Sequence, residues 1–174
     1  MVLRATKKVL KSLPVSSDEA GPSETALGDW YVNRIVVDRK PLLLLVSAES
    51  FLLMLTPARD VKNLPKRIAG MVEDRLHRLG VNENLIRAEV GAMETVEVGP
   101  TQDRSVTGQM VNFARSVPFC LPECEWDESD LRYVESKLSE MPCGVSSSHH
   151  EAMFPYRAAA RLLQEKWGES GPGD

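Results

Sequence analysis

The residues most able to do metal or covalent chemistry gather in the C-terminal third of the chain. Cys120, Cys124 and Cys143, with His149 and His150 beyond them, offer the thiolate and imidazole groups that a tetrahedral zinc site uses. Their spacing argues against such a site. Three residues separate Cys120 from Cys124 where two is the common knuckle spacing, and adjacent histidines more often mark a solvated loop. Cys120, Cys124, Cys143 and His149 therefore stand only as weak metal candidates, and no cofactor is expected. Ser146-Ser147-Ser148-His149-His150-Glu151 contains every residue type of a nucleophilic triad. Side chains this close in sequence do not converge from the different directions a triad needs, so a polar loop is the expectation. The chain has no Gly-x-Ser-x-Gly elbow, no Gly-rich phosphate loop and no His-Glu-x-x-His.

A second polar concentration lies in the body, from Thr101 to Asn112. There a strand gives way to a helix, so Arg104, with Ser105 and the free N–H groups of the first turn, suits an anion such as phosphate or carboxylate. The competing reading makes Asp103 an N-cap and leaves Arg104 in a structural ion pair. Leu27-Gly28-Asp29-Trp30-Tyr31-Val32-Asn33 places an acid beside two aromatics at the start of a strand, where Trp30 reads first as a core anchor. Arg4, Lys7, Lys8 and Lys11 read as a basic face on a first helix, to which Arg34, Arg39 and Lys40 add charge. Gathered on one side, these would make a patch for nucleic acid or an acidic partner.

The elements that must position these groups are legible as periods. A strand is expected over Met1–Ala5, then a short helix through Leu13 capped by Thr6. Tyr31–Val37, Leu42–Ser47 and Phe51–Leu55 read as a three-strand antiparallel meander, its second and third members apolar enough to be covered on both faces. Leu64, Ile68, Val72, Leu76 and Leu79 recur at helical spacing up to Gly80. A short helix follows from Asn82, and Glu94–Val98 is expected to return to the sheet before Gly99-Pro100 breaks it. Val106, Met110, Phe113, Ala114 and Val117 mark a helix that Pro118 should end. Leu131, Val134, Leu138 and Met141 mark another, with Asp127, Glu128 and Asp130 at its dipole-favoured end. A last helix runs from Pro155 to Trp167 and stops at Gly168. The class is α+β: an antiparallel sheet of about four to five strands covered by helices, with a C-terminal helical extension. Residues 1–144 read as one domain, and 145–174 as a polar hinge plus a helix packed on or extending from it.

At 174 residues the chain is long enough for one packed core without staples. Twenty-one Lys and Arg against 25 Asp and Glu give a net charge of −4, which argues against a dedicated nucleic-acid coat. Sparse, odd-numbered cysteine fits a reducing cytoplasm. The longest apolar run, Leu42–Leu55, contains Glu49 and falls short of the about 20 residues a membrane helix needs.

Taken together, Leu3-Arg4-Ala5-Thr6-Lys7-Lys8, Leu27-Gly28-Asp29-Trp30-Tyr31-Val32-Asn33, Pro57-Ala58-Arg59-Asp60, Arg104-Ser105-Val106-x-Gly108-x-Met110 and Pro142-Cys143 resemble an uncharacterised bacterial family, domain-of-unknown-function family 6933. The resemblance runs to about residue 144 and implies a compact domain with no established activity. Where the family pattern reads Gly-Ser-Met-Asn-Asp, this chain has Gly108-Gln109-Met110-Val111-Asn112 and so lacks the final acid. With no catalytic motif, the expected function is a non-catalytic binding or regulatory module. Its contact candidates are Asp29, Arg104 and the basic face, and its partner is a protein or a small anionic ligand. The alternative is a small hydrolase or nuclease using Asp29, Arg59, Asp60 and Arg104 in one cleft. A third reading is a toxin–antitoxin-like component docking through Tyr156, Leu163 and Trp167 of the last helix.

Overall fold

A computed structural model of the chain describes residues 1–14, 23–122, 125–143 and 152–168. Five strands form one sheet: β1 (Val2–Ala5), β2 (Trp30–Val37), β3 (Lys40–Ser47), β4 (Leu53–Pro57) and β5 (Glu97–Pro100). The helices among the described residues are α1 (Lys7–Leu10), α2 (Leu64–Arg78), α3 (Glu83–Gly91), α4 (Arg104–Cys120), α5 (Glu128–Ser139) and α6 (Pro155–Trp167). A 3₁₀ segment, Ala58–Asn63, joins β4 to α2.

The spatial order is β4-β3-β2-β1-β5. The meander β2–β3–β4 is antiparallel as its spacing predicts, but β1 lies between β2 and β5 and runs parallel to both. The sheet is therefore mixed, which corrects the antiparallel expectation. Short apolar strands such as Val2–Ala5 carry no mark of partner direction; that follows from the crossovers, which are long enough here to bring the chain back parallel.

Alternation along the strands divides the side chains between two helical layers. Trp30, Val32, Leu43, Leu45 and Met54 face α2, α3 and α6, whereas Tyr31, Leu42, Leu44, Val46 and Leu55 face α4 and α5. Leu42 through Val46 are each at most 2% exposed, so β3 is covered on both sides, as its unbroken apolar run requires. The β2–β3 hairpin turns through Asp38 and Arg39, both at positive φ, the conformation a two-residue hairpin loop demands. Its tip is fixed to the connector before α5: Trp126 Nε1 donates to Asp38 Oδ2 at 2.9 Å, and the Lys40 ammonium sits 4.2 Å from the indole centroid.

Four local expectations change. Thr6 does not cap α1 with its side chain; its hydroxyl donates to Asn33 Oδ1. That helix is a single turn. Pro118 does not end α4 at once: the helix runs two residues further, to Cys120. Pro100 closes β5 from inside, as an edge strand permits. At α5 the acidic start forms a full capping box between Asp127 and Asp130, and the Ser129 hydroxyl and N–H hold the Asp127 carboxyl below its usual range. No helix among the described residues is long and apolar enough to cross a membrane.

Candidate functional site

Asp29 sits immediately before β2, on a loop whose shape is set from three sides. Thr25 Oγ1 donates to Gly28 O, Glu49 N–H donates to Leu27 O, and Ala48 N–H donates to Asp29 O. Gly28 has φ +74°, and a Cβ there would lie 2.8 Å from Glu49 Cγ, so glycine is demanded both by conformation and by the close approach of the β3–β4 turn. The loop, that turn, the start of α4 and one face of α6 enclose an open cleft of about 790 Å³ lined by Asp29, Glu49, Asp103 and Lys166, among others. The Asp29 carboxylate is already committed. Its Oδ1 accepts from Val2 N–H at 2.9 Å and its Oδ2 from Arg4 Nε at 3.0 Å. The neighbouring hydroxyl of Tyr31, a buried residue, accepts from Asp103 N–H. Neither group is poised as a base beside a nucleophile.

Arg59 and Asp60 belong to a different place. They lie on the 3₁₀ segment after β4 and do not themselves line a second cleft, of about 730 Å³, between α2 and α5 along the outer edge of β4. Arg59 pairs with Glu128 of α5, and Asp60 lies 3.7 Å from Arg67 of α2 while accepting from Asn63 Nδ2. Two of the cleft's own acids are likewise engaged: Asp74 pairs with Arg78 at 3.0 Å, and Glu135 with the same arginine at 2.7 Å.

The remaining candidates scatter. Arg104 and Ser105 are exposed in the first turn of α4, where Asp103 accepts from the N–H groups of Ser105 and Val106, the capping reading. Asn112 projects from the solvent face two turns further on, as does Val111. An acid at 112 would project the same way, outside the residues that line either cleft. Arg4 is not on the first helix: it lies on β1, 8% exposed and spent on Asp29, which leaves Lys7, Lys8 and Lys11 exposed on and just after one helical turn. Cys143 is buried, its thiol pushed up to about 12 by desolvation, and Cys120 is raised for the same reason. Thiols held protonated in this way are poor nucleophiles at neutral pH. Among the described residues no group of three or more His, Cys, Asp and Glu side chains could hold a metal ion. Cys124, His149 and the polar run around it lie outside the described residues. Of the docking face expected on α6, Leu163 is fully buried and Trp167 Nε1 donates to Glu89, while Tyr156 is part-exposed and its hydroxyl accepts from Arg157 Nε.

The family model for a domain of unknown function, DUF6933, matches residues 2–158. The chain belongs to this family. No curated protein matches it. For this DUF6933 chain the Leu27-to-Asn33 word acquires a physical meaning. Leu27 N–H binds a buried carboxylate, Gly28 supplies the turn, Asp29 ties β1 to β2, Trp30 fills the core, and Asn33 accepts from Thr6. These are constraints on the scaffold.

Three charged side chains that hold the DUF6933 fold together lie outside those words. Glu89 of α3, fully buried, accepts from the N–H groups of Ala26 and Leu27 and from Trp167 Nε1, joining three segments at one carboxylate. Arg75 of α2 donates to Leu53 O, Glu135 O and Ser139 Oγ, while Glu135 of α5 accepts from Leu55 N–H at 2.7 Å. Burial lowers Arg75 to about 10, with the Glu135 carboxylate opposing the shift, so it stays charged at neutral pH. Each sits at an inward position of its helix, where an apolar residue is the usual expectation. The one available signal was a charge interrupting an apolar stripe, as Arg75 does beside Leu76.

Proposed function

We propose that this chain is a non-catalytic binding module of the cytoplasm. The observation that carries the reading is the commitment of Asp29: both carboxylate oxygens are occupied by Val2 N–H and Arg4. A hydrolase or nuclease built on Asp29, Asp60 and Arg104 needs them in one cleft, and they stand apart. What the described residues offer instead includes the two open clefts above, on a scaffold pinned by internal carboxylates. The free thiols Cys120 and Cys143 suit a reducing compartment. With Arg4 withdrawn, the lysines of the first turn give little footing for nucleic acid, and a small ligand fits the clefts better.

The test is affinity capture of the tagged chain from a bacterial extract, followed by native mass spectrometry. A bound small molecule carried at a defined stoichiometry and recovered intact supports the reading. Recovery of only altered products, with loss of that conversion in Asp29→Asn, contradicts it.

A further inference from the structure

The cleft along the β4 edge has a chemistry of its own. β4 is the outer strand, and an outer strand ordinarily presents free backbone groups to which a peptide can add. Here the middle of that outward row is in part occupied. Arg75 reaches from α2 to Leu53 O, Glu135 reaches from α5 to Leu55 N–H, and Pro57 has no N–H to offer. Strand addition is therefore hindered at the centre of the edge, where an occupant meets side chains.

Those side chains are amphiphilic. Met71 and Pro57, both part-exposed, offer apolar surface, while Lys66, Arg67 and Arg132 bring positive charge. The acids nearby offset it only in part. Glu128 is taken by Arg59, Glu135 by Arg78 and Leu55 N–H, and Asp74 by Arg78. Arg67 and Arg132 keep only distant, exposed partners at 3.7 and 4.0 Å, and Lys66 has no ion-pair partner among the described residues. The volume, about 730 Å³, lies within the roughly 300–1,000 Å³ of small-molecule sites.

Gly70 shapes the same wall. It occupies the interior of α2, lines this cleft, has ordinary helical φ, and nothing lies within 4 Å of where its Cβ would be. Glycine in a helix interior costs stability relative to alanine, and neither packing nor backbone conformation requires it here. What it does is keep the groove wall low between Arg67 and Asp74.

From these observations we infer that the α2–α5 cleft binds a small amphiphile with an anionic head, carboxylate or phosphate, on an apolar body. The head meets Lys66, Arg67 and Arg132, and the body lies over Gly70 against Met71 and Pro57. The inference rests on the binding-module reading and gives it a site and a ligand class.

Isothermal titration of the full chain with octanoate, octyl phosphate and the uncharged octanamide tests it. Octanoate or octyl phosphate should bind at least tenfold more tightly than octanamide, the tighter of the two identifying the head group. Arg67→Ala combined with Arg132→Ala should weaken that binding at least tenfold, and Gly70→Leu should abolish it while leaving the unfolding midpoint unchanged or raised. Equal binding of octanoate and octanamide, or binding that survives Gly70→Leu in a folded protein, would overturn the assignment. Failure of both anionic probes also overturns it, yet leaves the binding-module reading standing if the captured chain still carries an intact ligand of another class.

Discussion

Arg4 Nε donates to Asp29 Oδ2 at 3.0 Å while the other oxygen of the same carboxylate accepts from Val2 N–H, so one acid from the loop before β2 clamps both the backbone and a side chain of β1. Two parallel strands that share no hairpin are thereby joined at their start. Both side chains are mostly buried, at 10% and 16% exposure, so removing either partner strands the other. Asp29→Ala should cost about 2–4 kcal/mol in urea unfolding and Arg4→Ala a similar amount. The double variant should lose clearly less than the sum, whereas additive losses would show that the pair does not act as a unit.

Glu135 plays the corresponding part at the β4 edge of the sheet. Glu135→Ala leaves Leu55 N–H without an acceptor and Arg75 without its countercharge, so a loss of about 3–5 kcal/mol is expected. Hydrogen exchange gives the more specific readout. The Leu55 amide should lose protection well before the β3 amides, and oligomers formed through the freed edge should follow. An unchanged Leu55 amide in Glu135→Ala would refute the edge-closing role.

The last helix should be held by one hydrogen bond more than by any other polar contact. Trp167→Phe retains most of the packing but removes the donor to Glu89, for an expected loss of about 1.5–3 kcal/mol. Protease cleavage ahead of α6 should accelerate in the same variant. Glu89→Gln, which keeps an acceptor but cannot serve all three donors, should fall between the wild type and Glu89→Ala.

Cys143 sets an alkaline limit. Its thiol ionises near 9 when unfolded and near 12 in the fold, so between those values the folded state holds the extra proton. Stability from this group is therefore full below pH 9 and is lost as pH rises toward 12. Cys143→Val should flatten that decline in pH-dependent unfolding. In the native wild type, Cys143 should resist alkylation near neutral pH and react on unfolding.

Much of this architecture was legible from period and punctuation. The leucines of β3, the Leu64-to-Leu76 stripe of α2 and the Asp127 cap of α5 lie where apolar spacing and helix-end chemistry place them. Strand direction was not legible, since four residues such as Val2–Ala5 read alike in either orientation. The charges were misjudged for a related reason. Sequence shows Arg4 beside two lysines and suggests a common surface, but strand alternation sends it inward to an acid twenty-five positions away. Buried Arg75, Glu89 and Glu135 were missed because their partners are mostly backbone groups, which no residue type advertises.

The central claim, binding without turnover, is met most directly by a time course. The purified chain is incubated with a bacterial metabolite extract, and both the free and the denaturant-released fractions are followed by mass spectrometry. Binding alone predicts that a compound withdrawn from solution reaches a plateau set by the protein concentration and returns unchanged on denaturation. A compound that continues to disappear beyond one equivalent, with a new product accumulating in a manner abolished by Asp29→Asn, would contradict it.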